Sequence, residues 1–173
     1  MQIPRAFIVF LVYFQGVRDY FECHEILEDE WKKAPVKERQ DYWKGFIAIA
    51  VSQYHHRRGN FKGALKAVQN AITRLKHEEE LLFVFGLDAA RLLKKLEEVR
   101  ENILHQKPYK SIQLPIIDVV LHEECKKRSS EKGCVFGNES DMTDEGLIHK
   151  HRIPNRSSII SKREQLHLKK QRD

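Results

Sequence analysis

The chain has 173 residues, of which 41% are hydrophobic and 32% charged, and this length corresponds to one domain or to one domain with an appendage. The composition is typical of a soluble globular protein, and the chain is long enough to bury a hydrophobic core. The three cysteines form no CxxC pair and no ligand quartet, which favours free thiols in a reducing, cytoplasmic setting.

The net charge of +6 is placed unevenly along the chain. Residues 150–173 carry eight basic and two acidic residues, which leaves 23 of each sign in residues 1–149. A basic terminal segment of this kind suits electrostatic contact with nucleic acid or with an acidic protein surface. A solvated basic terminus is the simpler alternative.

An apolar run over residues 6–14 is the first element that the pattern predicts. Nine residues are too few to span a bilayer, and the run has neither a strongly charged start nor small cleavage-site residues after it. We therefore expect a buried first helix, with Pro4 in its first turn and Gly16 after its end, and no membrane attachment.

The signature helix over residues 19–31 contains the one local pattern with chemical content. Asp19 and Glu22 form a capping box, which predicts a helix start. At 100° per residue, Tyr20, His24, Leu27 and Trp31 share one line, with Phe21 and Glu28 at its edge. The pattern thus places an imidazole and a carboxylate, at i and i+4, on an apolar face.

The next segments have helical periods and loop signals but no strand pattern. A helix from residue 42 ends at Gly59, and a second, rich in small residues, covers residues 61–76. Gly86 closes a short helix, Asp88 caps another that ends near residue 106, and Asp118 caps one that ends near residue 127. We therefore predict an all-α fold, a small antiparallel helix bundle.

The predicted boundaries follow from the prolines and from the charge. Residues 1–106 form the bundle domain, and residues 107–128 form a proline-containing linker with a short helix. Residues 129–173 form a helical, loosely attached C-terminal extension, with an exposed basic helix over 157–172. Its candidate nucleic-acid contacts are the basic side chains Lys150, Arg152, Arg156, Lys162, Arg163, Lys169, Lys170 and Arg172.

The signature helix and the hairpin after it resemble the domain-of-unknown-function family 309. The resemblance rests on YFECHEILE at residues 20–28 with Trp31, and on a block with Tyr54, His55 and the Arg-Gly-Asn of residues 58–60. It covers about residues 7–115, and the basic tail is similar to that of bacillus-type members. The resemblance implies a small helical bundle and no established activity. Ala48 stands where members often have glutamine, which puts any polar network there in doubt.

Three interpretations of His24 and Glu28 remain open at this stage. In the first, the pair is buried, satisfies its own hydrogen bonds and packs under Trp31. In the second, His24, Glu28 and His55 converge as two imidazoles and one carboxylate on a divalent metal. In the third, Tyr20, His24, Glu28, Trp31 and Tyr54 of the candidate polar cluster, which also includes His55, line a small-molecule pocket.

The sequence favours the first interpretation. We therefore expect a non-enzymatic structural or interaction module, with no cofactor, whose partner is another protein or a second copy of the chain. A metal- or small-molecule-binding protein, with hydrolysis as its conceivable chemistry, is the alternative. A nucleic-acid-associated protein that uses the basic tail is the second alternative.

Overall fold

The computed structural model describes residues 2–152 and confirms the all-α prediction, since those residues contain helices and no strand. Its contacts divide the chain into a first unit, Met1–Asp141, and a second from Met142 onward. None of the described helices has the length and apolarity needed to cross a membrane. The first unit contains α1 (Arg5–Val12), α2 (Tyr20–Lys33), α3 (Tyr42–Arg57), α4 (Phe61–Leu75), α5 (Glu79–Val84), α6 (Ala89–Leu104) and α7 (Val119–Glu131).

The predicted helix boundaries are confirmed at the caps. Each capping side chain accepts a hydrogen bond from the backbone N–H three residues later, as the N-cap rule requires. Gly59 and Gly86 follow α3 and α5 with φ of 71° and 75°, the left-handed region that favours glycine. The capping residues are Asp19, Asn60, Asp88 and Asp118, at 3.0, 3.0, 2.9 and 2.8 Å from their donors.

The end of α1 differs from the prediction of a simple stop at Gly16. The helix continues as a π-helical turn, Tyr13–Val17, and the left-handed residue is Arg18, with φ of 62°. Gly16 lies inside the turn, where an added Cβ would be 2.5 Å from the Ser129 hydroxyl. The glycine is therefore needed for close packing against α7 and not for a left-handed stop.

Aromatic rings from α1, α3 and the end of α5 form the centre of the core. Phe7 lies 4.8 Å from Phe46 and 4.8 Å from Phe85, and the Phe46 and Phe85 rings are stacked at 8°. All three side chains are fully buried. This cluster fixes α1 against the bundle, which confirms the prediction of a buried first helix.

The segment after α6 is extended, as its two prolines predict, but it is bonded to the bundle at both ends. We call residues 107–114 the strap. The backbone after it forms an isolated antiparallel bridge between Leu87 and Ile116. The strap is therefore part of the first unit.

Residues 129–141 are not loosely attached, contrary to our expectation for the stretch from residue 129. Ser129 is fully buried, the Gly137 N–H donates to the Gln15 carbonyl at 2.7 Å, and Arg18 Nε donates to the Asn138 carbonyl at 2.6 Å. These bonds run through backbone groups, which a side-chain pattern does not reveal. The boundary therefore falls after Asp141.

The second unit contains a short helix, α8 (Glu145–Ile148), and a 3₁₀ turn, Lys150–Arg152. The Asp144 carboxylate caps α8 through the Leu147 N–H at 2.9 Å. The basic helix predicted over residues 157–172 lies outside the described residues.

Candidate functional sites

The signature helix α2 divides into a buried face and a half-exposed one. Tyr20, Cys23 and Leu27 are fully buried, whereas the side chains of His24 and Glu28 are 32% and 33% exposed. The prediction that this pair is buried is therefore wrong. At 100° per residue, the face centred on Tyr20, Cys23 and Leu27 is rotated by about 40° from the line we predicted, so His24 and Glu28 fall at its edge.

Three possible ligands do meet on the half-exposed face, but the third is Glu25. One donor atom from each of His24, Glu25 and Glu28 lies within 4.8 Å of the others. His24 Nδ1 is 3.1 Å from Glu25 Oε1, and His24 Nε2 is 3.9 Å from Glu28 Oε2. Lys32 Nζ lies 3.0 Å from the other Glu28 oxygen. One imidazole and two carboxylates can hold a divalent cation, and the spacing i, i+1, i+4 was the signal that we missed.

The other residues of the predicted cluster are placed elsewhere. His55 does not belong to the ligand group found among the described residues. It lines a groove of about 360 Å³ between α3 and α4, together with Ala48, and burial lowers its pKa.

Trp31 packs beneath two cations, with Arg39 and Lys44 at 4.6 and 4.7 Å from its ring. Tyr54 contacts Phe21 at 6.0 Å.

The buried face of α2 leads into a polar network. Arg18, which is 1% exposed, donates from Nη1 to the carbonyls of Phe14 and Ile112 at 3.0 and 2.8 Å. Arg57 donates to the Arg18 carbonyl at 2.8 Å, and its guanidinium lies 4.5 Å from the Tyr20 ring. Hydrogen bonds from charged donors to backbone carbonyls are among the stronger ones in proteins. We therefore expect this network to stabilise the first unit substantially.

Tyr109 connects this network to the strap. Its hydroxyl lies 2.5 Å from that of Tyr20, 3.0 Å from Ser111 and 2.9 Å from Ser140. Burial, followed by the neighbouring Tyr109, raises the pKa of Tyr20 despite two nearby arginines. Tyr20 therefore acts as a neutral hydroxyl in a structural network rather than as a base.

The Cys23 thiol, on the same face of α2, is not expected to be reactive. Burial raises the pKa of Cys23 well above its ordinary value, and burial raises that of Cys125 to about 12. A thiol is nucleophilic as the thiolate, so neither residue is suited to nucleophilic catalysis.

Exposed apolar side chains, which were not predicted from the sequence, lie on either side of the point where the chain after α5 approaches the start of α7. Phe83 is 71% exposed and Val84 36%, while Ile117, Val119 and Val120 are 45%, 75% and 79% exposed. We call these five residues the apolar corner. The signal was available, because the apolar run of residues 81–85 cannot all face the core of a helix that turns 100° per residue.

The two halves of the apolar corner flank one backbone contact. The Gly86 carbonyl accepts hydrogen bonds from the N–H groups of Ile117 and Asp118, at 2.8 and 3.3 Å. A Cβ at Gly86 would lie 2.8 Å from that of Asp118. The glycine is thus required for this approach as well as for its left-handed backbone.

The basic tail falls mostly outside the described residues. Lys150 and Arg152 belong to the 3₁₀ turn of the second unit. The remaining predicted contacts lie beyond residue 152; they are Arg156, Lys162, Arg163, Lys169, Lys170 and Arg172. Contact of the tail with nucleic acid therefore stays a prediction.

Comparison with known proteins places the chain in a family. The family described as a domain of unknown function, DUF309, matches residues 7–67, which include most of α1, all of α2 and α3, and the first part of α4.

The chain belongs to this family, and the resemblance predicted from the signature is confirmed. It is 45% identical over 161 residues to the uncharacterized protein YpuF of Bacillus subtilis (strain 168), an alignment that covers 93% of this chain and 92% of that protein. No solved structure matches the chain.

Proposed function

We propose that this protein is a non-enzymatic interaction module that associates with a second copy of itself through the apolar corner. The observation that carries the proposal is the exposure of five large apolar side chains around one contact, Phe83, Val84, Ile117, Val119 and Val120. Their exposed fractions correspond to roughly 500 Å², within the range of the largest apolar patches on monomeric proteins. Such patches commonly mark interaction sites.

The area is compatible with a weak symmetric dimer. Two copies joined by this surface would bury about 1,000 Å² in total, near the lower limit for a specific interface. A two-fold interface uses the same patch on both copies, so each α5 meets the partner's α7. We therefore expect association in the micromolar range.

The charges next to the apolar corner support this pairing. Helix α5 begins with the exposed Glu79 and Glu80 and ends with Phe83 and Val84, while α7 begins with Val119 and Val120 and continues to the exposed Lys126 and Lys127. If α5 of one copy lies antiparallel to α7 of the other, apolar ends meet and the two glutamates approach Lys127 and Lys126, of which Lys126 also pairs with Glu123 of its own helix at 3.0 Å. At a rise of about 1.5 Å per residue, the distance from the acidic to the apolar side chains on α5 and the distance from the apolar to the basic side chains on α7 differ by only a few ångströms. Long side chains can bridge this difference.

Sedimentation velocity over a concentration series tests the proposal. We expect a reversible monomer–dimer equilibrium in the wild type and a monomer in the double variant Phe83→Ser/Val120→Asp. Val36→Asp is the matched control, because Val36 is 76% exposed in the 3₁₀ turn Val36–Glu38, outside the apolar corner. A wild type that remains monomeric at about 100 µM would contradict the proposal, because an association in the micromolar range is nearly complete at that concentration.

A reducing compartment is consistent with this proposal. The three cysteines are free thiols, and Cys23 and Cys125 are buried. We propose a cytoplasmic setting on this ground, because free thiols persist where the surroundings keep them reduced.

Divalent metal binding at the outer face of α2 is the second candidate function. It is favoured by the meeting of His24, Glu25 and Glu28 within 4.8 Å. Titration calorimetry with zinc or manganese should give one site in the wild type and none in His24→Ala. His122→Ala is the control, since the His122–Glu123 pair at 3.6 Å has the same i, i+1 arrangement without a third ligand. Equal metal binding by wild type and His24→Ala would exclude this site.

A further inference from the structure

A cavity of about 370 Å³ lies between α3, α6 and the strap. Its lining includes Gln53 and His56 from α3, Val99 and Asn102 from α6, and Lys107 and Lys110 from the strap. This volume falls within the range of small-molecule sites. None of these residues belongs to the apolar corner or to the ligand group on α2.

Gln53 is the most buried of the polar residues that line the cavity, and its side-chain oxygen has no partner in the part of the chain that the structure describes. Gln53 is 1% exposed, and its Oε1 accepts no hydrogen bond from any described residue. Buried carbonyl oxygens are normally paired, and an unpaired one lowers the stability of the protein. An occupant that donates an N–H or O–H to Gln53 would satisfy this oxygen.

The rim of the cavity is positively charged. Lys107 and Lys110 are exposed, and within residues 2–152 neither makes an ion pair. Lysine is a common ligand of phosphate groups, where it acts as a point charge. An occupant with a donor at one end and an anionic group at the other would therefore match the charge distribution.

The walls suit a flat heterocycle. Val99, Pro108 and Ile112 supply apolar surface, and Asn102 adds a second carboxamide to the lining. Asparagine and glutamine side chains pair with the edges of nucleobases through both their donor and acceptor groups. This combination favours a nucleobase over an aliphatic acid.

The cavity is held open by bonds at both ends of the strap. His56 Nε2 donates to the Lys107 carbonyl at 2.9 Å, and Arg18 donates to the Ile112 carbonyl at 2.8 Å. Further along, the Leu114 N–H donates to Gln15. Because these bonds fix the strap, the site needs little ordering when a ligand enters.

From this arrangement we infer that the strap cavity binds a nucleoside monophosphate, whose base donates an N–H to Gln53 Oε1 and whose phosphate contacts Lys107 and Lys110. The inference is independent of dimer formation, because the lining residues come from one copy and lie outside the apolar corner.

Titration calorimetry of the full chain with AMP tests the inference, with ribose 5-phosphate as the probe that lacks a base. We expect saturable binding of AMP and at least tenfold weaker binding of ribose 5-phosphate. Gln53→Met removes the acceptor at nearly constant volume and should weaken AMP binding about tenfold, as expected for one lost hydrogen bond to a buried group. The double variant Lys107→Ala/Lys110→Ala should weaken it by a similar factor.

Two control variants separate this site from nonspecific attraction to the basic tail. Lys37→Ala/Lys62→Ala removes the same charge from exposed positions elsewhere, and Gln69→Met changes an exposed glutamine on α4; both should bind AMP as the wild type does. The thermal midpoint of Gln53→Met should equal or exceed that of the wild type, so a loss of binding in this variant would report the site and not unfolding. The inference is overturned if AMP shows no saturable binding, if ribose 5-phosphate binds equally well, or if the lysine control loses as much affinity as the pocket variant.

Discussion

The outer face of α2 and the region beneath the strap both contain unusual polar residues, but these residues find their partners in different places. On α2, His24 and Glu28 are about one-third exposed, and Glu28 keeps a second partner in Lys32. Beneath the strap, Arg18 and Tyr20 are buried and bonded to distant parts of the chain. The difference shows that one helix of the family signature has two roles. Its buried face, with Tyr20, holds the fold together, and its half-exposed face, with His24 and Glu28, can change without disturbing that buried face.

Arg18→Ala should give the largest effect on stability. The variant loses three hydrogen bonds from a buried guanidinium, and we expect a decrease of about 3 kcal/mol or more in the free energy of unfolding. Urea denaturation measures it, and Arg91→Ala, at an exposed helical arginine, should change it by less than about 0.5 kcal/mol. Arg18→Gly should be less destabilised than Arg18→Ala by about 1 kcal/mol, because glycine adopts a φ of 62° without strain.

Tyr109→Phe should give an intermediate effect. It removes the hydroxyl that contacts Tyr20, Ser111 and Ser140, which should cost about 1–3 kcal/mol. Tyr13→Phe is the control, since its hydroxyl accepts a hydrogen bond from the exposed Lys132 at 3.3 Å. Equal unfolding midpoints for the two variants would show that the strap network contributes no more than a surface contact.

Gln53→Met should change stability in the opposite direction. Because Oε1 of Gln53 is buried without a partner within residues 2–152, its replacement by an apolar side chain of similar volume should raise the free energy of unfolding by about 1 kcal/mol. Differential scanning calorimetry without ligand gives the sign. A lower thermal midpoint than the wild type would mean that the oxygen is already satisfied.

His24→Ala should give the smallest effect, below about 0.5 kcal/mol. Half-exposed ion pairs contribute little, and Glu28 retains Lys32 in the variant. The same urea experiment applies, and His122→Ala on α7 provides the comparison. A loss of more than about 2 kcal/mol would restore the interpretation of His24 as a buried structural residue.

The sequence allowed the helices to be predicted well where local chemistry sets their ends. Asp19, Asp88 and Asp118 cap their helices, and Gly59 and Gly86 end theirs, because these signals act within a few residues. The exact rotation of α2 could not be predicted, since it depends on which side chains the first helix and α3 cover. A shift of about 40° was enough to move His24 from the core to its edge.

The strap and the candidate sites were harder to predict than the helices. The sequence alone suggests that Arg18 is a surface cation. It lies buried because it donates hydrogen bonds to the carbonyls of Ile112 and Asn138, which are 94 and 120 positions away in the chain. Gln53 has no neighbour in sequence that marks it as a cavity residue. The apolar corner could have been predicted from the uninterrupted run before Gly86, whereas the meeting of α5 and α7 depends on backbone bonds that no residue pattern encodes.

A charge-reversal experiment tests the self-association of this protein most directly. Glu79→Lys/Glu80→Lys places like charges between α5 and the partner's α7, as does Lys126→Glu/Lys127→Glu, so each variant alone should sediment as a monomer. An equimolar mixture restores opposite charges at both contacts and should sediment as a dimer. Dimers in either variant alone at wild-type affinity, or a mixture that stays monomeric, would contradict the proposed pairing.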